Sequence, residues 1–352
     1  MNTTRFRTLN RLLFTVATAL VATATPAFAA KPVEDLHGAG STFVQPILKE
    51  WAYNWSTKSG VKITYDGGGS GVGISKAKAG DVDFGASDAP LGDEELAANN
   101  LVQFPIVAGG IVVIENISSL GRRRLQVNGQ ALADIFMGKI TRWNDPELAA
   151  LNPGAALPDT PITVVHRSEG SGTTYNFTAY LTRVSPAWAA KLGTGKTVSW
   201  PVGTGTEGNQ NVANMVSNTP DSIGYVEYGY ALAHNLRIAT LHTASGGTVF
   251  PTQTTIRNAV DAADWAHASS FNLLLVGTEG KDVWPIAATT WVIIPNKSPN
   301  VQKTLEFFRW ALDNGAELAD AQGYTPLPPK LVKLVEKSWA KSFPAKTALA
   351  SH

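Results

Sequence analysis

The sequence ITVVHRSEGSG at residues 162–172 contains the structural unit that decides the fold. Its β-branched residues predict a strand over 162–167, and the Ser-Glu-Gly-Ser-Gly run that follows predicts a tight loop. A helix is predicted directly after the loop, over 175–181. Because strand, loop and helix recur in this order along the chain, the sequence predicts an α/β fold with parallel strands.

The other elements are predicted from the spacing of apolar residues. Apolar residues recur at every fourth position from Phe43 to Trp55, which predicts the buried face of a helix. Ser41 or Thr42 is predicted to cap the start of this helix. Further strands are predicted at 61–65, 82–86, 101–107, 111–114, 223–226 and 291–294. Further helices are predicted at 72–79, 93–99, 132–137, 211–217, 301–312 and 329–340.

Composition and charge exclude several classes of protein. The 352 residues carry 29 Lys and Arg against 28 Asp and Glu, which gives a formal net charge of +1. A general nucleic-acid binder needs a basic surplus to neutralise phosphates, so this class is not expected. The chain has no cysteine, which excludes disulfides, cysteine-ligated metal sites and thiol nucleophiles. The length predicts about two domains.

Residues 1–29 have the pattern of a signal peptide. Three arginines among the first eleven residues precede an apolar run over 12–21, and residues 27–29 read Ala-Phe-Ala, which is a typical cleavage site. Cleavage would remove these three arginines from the 29 basic residues and no acidic residue, leaving 26 basic against 28 acidic residues. The mature protein is therefore expected to be soluble and exported to the periplasm.

Three loops rich in glycine and hydroxyl residues precede predicted helices: residues 38–43 (GAGSTF), 67–71 (GGGSG) and 167–174 (RSEGSGTT). A helix start offers unpaired N–H donors and the positive end of the helix dipole, and glycine lets an anion approach the backbone. If the loops converge, they would bind a small tetrahedral anion, with Arg167 as a bidentate cation. Ordinary capping also explains each loop, and a turn explains Asp88, so both interpretations stay open at this point.

Five motifs give the chain a resemblance to the periplasmic phosphate-binding proteins of phosphate ABC importers. They follow the family's order, at residues 38–43 (GAGSTF), around Ser70 (GSG), and at 82–91 (VDFGASDAPL), 170–173 (GSGT) and 223–228 (IGYVEY). The resemblance implies a two-lobe periplasmic-binding-protein fold of type II character, with mixed sheets flanked by helices and a ligand cleft between the lobes. The expected lobes are residues 30–115 with 286–352, and residues 116–285.

The resemblance also implies which residues hold phosphate. They are Ser41, Thr42, Phe43, Ser70, Asp88, Arg167, Ser171, Gly172 and Thr173. In the family, hydroxyl and backbone N–H groups donate to phosphate, the arginine closes over it, and the aspartate accepts its proton. Two positions depart from the family: His166 stands where an arginine is common, and Glu169 stands where an aspartate often supports the arginine.

The expected function is a monomeric binding protein that captures inorganic phosphate and delivers it to an ABC permease, without a cofactor, a metal or nucleic acid. One alternative is a secreted phosphatase, although the sequence offers no histidine or carboxylate cluster beside the cleft hydroxyls. A receptor for sulfate or molybdate is disfavoured, because a fully ionised anion has no proton for Asp88. A GxGxxG pattern at 203–208 is interpreted as a turn rather than a dinucleotide site.

Overall fold

The computed structural model describes residues 35–243 and 246–344. The expected signal peptide, residues 1–29, lies outside the described residues. The strands are β1 (Leu36–Gly40), β2 (Ile63–Gly67), β3 (Phe84–Ser87), β4 (Leu101–Glu115), β5 (Gln126–Asn128), β6 (Thr163–Arg167), β7 (Thr204–Thr206), β8 (Ser222–Glu227), β9 (Arg237–Ile238), β10 (Thr240–His242), β11 (Thr248–Val249), β12 (Ala287–Pro295) and β13 (Thr325–Pro326). The α-helices are α1 (Gln45–Ser59), α2 (Ser70–Ala79), α3 (Asp93–Ala98), α4 (Gly129–Phe136), α5 (Pro146–Leu151), α6 (Gly172–Val184), α7 (Pro186–Lys191), α8 (Gly208–Asn218), α9 (Tyr228–Ala233), α10 (Gln253–Asp261), α11 (Val301–Asn314), α12 (Ala316–Ala321) and α13 (Pro329–Ser342).

Ten strands form one sheet whose main path is β2-β1-β3-β12-β4-β8-β6-β7, with β9 and β13 also paired to β4. β1 is parallel to β2 and β3, and β6 is parallel to β7 and β8. β12 is antiparallel to both β3 and β4, and β4 is also antiparallel to β8. Strands β11, β10 and β5 form a smaller sheet. Helices pack beside both ends of the path, with α1 and α2 near β1–β3 and α6 and α8 near β8. The expected α/β class with mixed sheets is confirmed.

The centre of the sheet is formed by β4 and β12, which are buried along almost their whole length. A strand covered on both faces needs apolar residues at consecutive positions rather than at alternate ones, and both strands have such runs. The first part of β4 pairs with β12, from Leu101 to Gly110, and its second part pairs with β8, from Ile111 to Glu115. One continuous strand therefore joins the two ends of the sheet.

The prediction of two strands at 101–107 and 111–114 is wrong, because β4 continues through Gly109 and Gly110. Sequence patterning places a break at paired glycines, since glycine weakens a strand. Here the missing side chains make room for neighbours. A Cβ atom at Gly109 would lie 2.9 Å from the Phe43 ring, and one at Gly110 would lie 2.7 Å from Ile256.

The predicted capping of the first helix by Ser41 or Thr42 is also wrong. Helix α1 begins at Gln45, and the residue before it, Val44, makes no side-chain cap. The hydroxyl of Ser41 instead accepts the N–H of Phe43 at 3.0 Å and donates to the carboxylate of Asp88 at 2.6 Å. Because the buried carboxylate of Asp88 requires hydrogen-bond donors, the hydroxyl of Ser41 binds Asp88 instead of capping the helix.

Glu227 ends β8 and caps α9 from a fully buried position. Its carboxylate accepts the N–H groups of Gly229 at 2.8 Å and Tyr230 at 3.3 Å. Burial raises the pKa of Glu227 to about 8, although these two hydrogen bonds lower it, and the nearby charge of Asp88 adds to the rise. The folded protein therefore holds a proton at Glu227 at a pH where an unfolded chain has released it.

This difference predicts that the unliganded protein loses stability as the pH rises from about 7 to about 9, because the folded pKa of Glu227 lies above the unfolded one. Burial also raises the pKa of Asp88, but only to about 6, below this range. The variant Glu227→Gln keeps the acceptor and cannot ionise, so its free energy of unfolding should be nearly constant across the range. Urea unfolding of both proteins in oxyanion-free buffer measures this. If the free energy of unfolding changed equally with pH in the two proteins, the prediction would be contradicted.

Candidate functional site

The loops singled out in the sequence lie at the carboxyl ends of β1, β2 and β6, and Asp88 follows the end of β3. The carboxyl ends of strands are where open α/β sheets commonly bind ligands. The nine expected site residues are buried. Direct contacts join the segments that carry them: Ser41 and Ser70 contact Asp88, and Arg167 contacts Thr42 and Thr173.

Arg167 is the cation at the centre of this arrangement, with a relative exposure of 3%. Its Nη2 donates to Thr42 Oγ1 at 3.1 Å, and its Nη1 donates to Thr173 Oγ1 at 3.2 Å. Its Nε donates to Glu169 Oε1 at 2.8 Å, and Nη2 also contacts this oxygen. Glu169 thus pairs with Arg167 despite being longer than the aspartate that is common in the family. The pair fixes the plane of the guanidinium.

Glu169 has a second partner, which connects the arginine to helix α8. Its Oε1 accepts the N–H of Gly208 at 3.1 Å, the first residue of that helix. A carboxylate at a helix start is favourable because of the exposed N–H groups there. The next residue, Asn209, is fully buried, and its Nδ2 lies 3.1 Å from Thr42 Oγ1 and 3.3 Å from Thr173 Oγ1.

Asp88 is the buried anion of the site. Its Oδ1 accepts the hydroxyl of Thr290 at 2.7 Å, and its Oδ2 accepts those of Ser41 at 2.6 Å and Ser70 at 3.4 Å. Burial raises the pKa of Asp88 to about 6, and the three hydroxyl donors and the charge of Arg167 oppose the rise. Asp88 is therefore mainly ionised at neutral pH, and its carboxylate can accept a further hydrogen bond.

Two helix starts face each other across the site. Helix α6 begins after Ser171, whose hydroxyl accepts the N–H of Thr174 at 3.0 Å, and α2 begins at Ser70. The two segments touch through backbone, since the N–H of Gly71 donates to the carbonyl of Gly170 at 2.8 Å. A side chain at position 172 would collide with Ser70 and Asp88, so glycine is required at this close approach.

The loop at residues 41–43 is held from behind by three tyrosines. The hydroxyls of Tyr65, Tyr230 and Tyr324 donate to the carbonyl oxygens of residues 41, 42 and 43, at 2.8, 2.7 and 2.6 Å respectively. Burial raises the pKa of each tyrosine, so all three stay protonated donors at neutral pH. All three carbonyl oxygens of the loop therefore accept hydrogen bonds from the protein itself.

His166 does not supply a second cation to the site. Its ring stacks on Trp200 with ring centres 4.8 Å apart. Burial lowers its pKa from the ordinary value, although a hydrogen bond to the carbonyl of Arg167 opposes this. The histidine is therefore neutral at pH 7, and Arg167 carries the positive charge contributed by this strand end.

Sequence reasoning missed Asn209, Thr290 and the three tyrosines as neighbours of the site. For Asn209 a signal was available in the pattern at 203–208. The interpretation of that pattern as a turn is wrong, because residues 204–206 form β7, parallel to β6, and α8 begins at Gly208. A strand that runs parallel to β6 and is followed by a helix start ends beside the loop after β6.

The arrangement suits a small oxyanion that still carries a proton. It combines one guanidinium, several hydroxyls and two helix starts as donors, with one carboxylate as acceptor. Within residues 35–243 and 246–344, no group of three or more His, Cys, Asp or Glu side chains could hold a metal ion.

Comparison with known proteins identifies the family. A family model described as a PBP superfamily domain matches residues 25–314. The phosphate-binding protein PstS of Xylella fastidiosa is 43% identical over 311 residues, which cover 88% of this chain and 85% of that protein. The PstS protein of Pasteurella multocida is 40% identical over 309 residues, which cover 87% and 90% respectively.

Solved structures share the fold. A high-affinity periplasmic phosphate-binding protein bound with phosphate matches with a TM-score of 0.69 at 23% identity, over 86% of this chain and 93% of that one. A phosphate-binding protein from Stenotrophomonas maltophilia matches with a TM-score of 0.66 at 20% identity, over 86% and 92%. On the strength of its sequence similarity over most of its length, the chain belongs to the PstS family of phosphate-binding proteins, within the PBP superfamily.

Proposed function

We propose that this protein is the receptor of a phosphate ABC importer, which captures inorganic phosphate and delivers it to the membrane permease. The observation that carries the proposal is that Arg167 and Asp88 are both buried, near enough for the charge of Arg167 to lower the pKa of Asp88, yet no ion pair joins them in the described part of the chain. Arg167 is paired with Glu169, but Glu169, Thr42 and Thr173 engage only four of its five N–H groups, so one Nη1 hydrogen can serve a third group while Asp88 accepts from it. Monohydrogen phosphate suits both Arg167 and Asp88. Its unprotonated oxygens can accept a hydrogen bond from Arg167, and its hydroxyl group donates a hydrogen bond to Asp88.

The nine residues expected from the sequence divide this task. Thr42 and Thr173 supply hydroxyl donors, and Ser70, Ser171 and Gly172 lie at the starts of α2 and α6, where N–H groups are available. The hydroxyl of Ser41 is bound to Asp88 and acts through it, and the side chain of Phe43 is buried in the hydrophobic core. The name of the PstS relatives supports phosphate as the ligand.

The cleft is proposed to lie between two lobes, residues 30–115 with 286–352 and residues 116–285. The course of β4 supports this division, because its first part pairs with β12 and its end pairs with β8. Several contacts cross the boundary, among them Arg167 to Thr42 and the backbone bond between Gly71 and Gly170. These contacts require a closed cleft.

The protein is proposed to act as a monomeric receptor in the periplasm rather than as an enzyme. The pattern of residues 1–29 supports export. In the part of the chain that the structure describes, no helix combines the length and the apolar character needed to cross a membrane.

A phosphatase would need an activated nucleophile in the same cleft. The hydroxyl oxygens of Thr42 and Thr173 accept hydrogen bonds from Arg167, so these contacts do not activate them as nucleophiles. A turnover assay with a chromogenic phosphate ester separates the two functions. Sulfate and molybdate fit less well than phosphate, because they bring no proton to Asp88.

Replacing Arg167 by alanine should weaken phosphate binding by about ten- to a hundredfold, since a charge-assisted hydrogen bond in a buried site contributes about 1.5–3 kcal/mol. Isothermal titration of the mature protein measures the change in Kd. The matched control is Arg142→Ala, which removes an arginine that is about half exposed and pairs with Asp159. Equal affinities for wild type and Arg167→Ala would remove this residue from the binding site.

Asp88 should determine the preference for phosphate over sulfate. Sulfate would place its oxygens against the carboxylate, and a buried acceptor without a donor costs about 1–3 kcal/mol, which is a discrimination of about ten- to a hundredfold. Asp88→Asn removes the charge and can donate to either anion, so the preference should fall while phosphate still binds. Titrations with both anions at fixed ionic strength measure the ratio of the two Kd values.

The control for this experiment is Asp66→Asn, which makes the same change of charge at an exposed position on β2. It should leave the ratio unchanged. If the selectivity of Asp88→Asn equals that of wild type, Asp88 is a turn residue only.

Phosphate should also close the cleft, because donors from both proposed lobes can reach the anion only in the closed state. We expect saturating phosphate to reduce the radius of gyration in small-angle scattering and to raise the melting temperature. Sulfate at the same concentration is the control for ionic strength. If phosphate changed neither quantity, the two-lobe clamp would be refuted.

A further inference from the structure

The side-chain amide of Asn209 has one orientation that its surroundings allow. The residue is fully buried at the start of α8, and its Oδ1 accepts the backbone N–H of Glu227 at 3.0 Å. A backbone N–H can only donate, so the amide oxygen must face it. The Nδ2 group then necessarily faces the hydroxyls of Thr42 and Thr173.

The two threonine hydroxyls receive donors from both sides. Thr42 Oγ1 lies 3.1 Å from Arg167 Nη2, 3.1 Å from Asn209 Nδ2 and 3.2 Å from the backbone N of Asn209. Thr173 Oγ1 lies 3.2 Å from Arg167 Nη1 and 3.3 Å from Asn209 Nδ2. Arg167 and Asn209 therefore bridge the same pair of oxygens.

This bridging determines where the hydroxyl protons point. A hydroxyl oxygen has two lone pairs and one proton. Two N–H donors occupy the lone pairs of Thr173 Oγ1, and three donors share those of Thr42 Oγ1, so each hydroxyl proton must point to another acceptor. Each threonine hydroxyl can then donate a hydrogen bond to a bound ligand, but it can no longer accept one from that ligand.

We propose that Asn209 is a positioning residue that, together with Arg167, fixes Thr42 and Thr173 as hydrogen-bond donors to the bound anion. The inference rests on the proposed binding of phosphate. It gives the site two unlike sides: a donor side, at the threonines, for the unprotonated oxygens, and an acceptor side, at Asp88, for the protonated one. Asn209 would thus determine how the anion is oriented, through its contacts to the threonines.

The variant Asn209→Asp tests this because it keeps size and shape but replaces the Nδ2 donor by an acceptor. It should fold, since the helix start and the guanidinium of Arg167 both favour a negative charge there. The threonine protons would turn toward the new carboxylate, and phosphate affinity should fall by at least about tenfold. The neutral variant Asn209→Ala should show a smaller loss, which separates the loss of the donor from the added charge.

The matched control is Asn214→Asp, the same substitution at an exposed position of the same helix. It should bind phosphate as wild type does. Melting temperatures without phosphate show whether each variant is folded, so that a loss of affinity is not mistaken for unfolding.

A positioning role is distinguished from direct contact by combining substitutions. In a protein that carries Thr42→Val and Thr173→Val, the further change Asn209→Ala should alter the phosphate Kd by less than about twofold, because the hydroxyls through which Asn209 acts are gone. If the loss is as large in this background as in wild type, Asn209 acts independently of the threonines and the inference is wrong. Unchanged affinity in Asn209→Asp would also overturn it.

The same titrations separate this inference from the proposed function. A wild-type protein that binds phosphate, with Asn209 variants equal to it, would leave the function standing and refute the positioning role. A wild-type protein that binds no phosphate would refute both.

Discussion

The burial of the Arg167 guanidinium is the constraint on which the rest of the cleft depends. A buried charge is strongly unfavourable unless it is paired and its N–H groups are bonded. Glu169 provides the opposite charge, and the hydroxyls of Thr42 and Thr173 accept further N–H groups. These partners come from loops that are far apart in the chain. Satisfying one side chain therefore brings the loops after β1 and β6 together, and the second bond of Glu169 adds the start of α8.

The two buried carboxyl groups of this region differ in their ionisation, and the difference has a structural cause. Three hydroxyls donate to Asp88, which limits the effect of burial and leaves its pKa at about 6. Glu227 has two backbone donors and lies near the charge of Asp88, and its pKa is about 8. At neutral pH Asp88 is therefore mainly ionised, and Glu227 stays mainly protonated. Of these two groups only Asp88 acts as a charged acceptor, and the carboxylate of Glu169 is paired with Arg167.

The loop at residues 41–43 gains its shape from distant parts of the chain. Tyr65 lies on β2, Tyr230 lies on α9, and Tyr324 lies just before β13, and each binds one carbonyl of the loop. These buried side-chain hydrogen bonds hold the Ser-Thr-Phe backbone of the loop in place from three other parts of the chain. The close backbone approach of Gly71 and Gly170 adds a direct bond between the facing segments. Positions outside the anion contacts thus contribute to the shape of the site.

The sequence alone determined the α/β class, most of the longer helices and strands, and the short loops that carry Arg167, Ser70 and Asp88. Local patterns contain this information, because periodicity and small-residue runs act over a few neighbouring positions. Strand β1 was not predicted, since its glycines and histidine have low strand propensity, and pairing with β2 and β3 decides its conformation. The single course of β4 through Gly109 likewise depends on the ring of Phe43. The roles inferred for Asn209 and the tyrosines required the tertiary structure, because the direction of a hydrogen bond depends on partners that are distant in sequence.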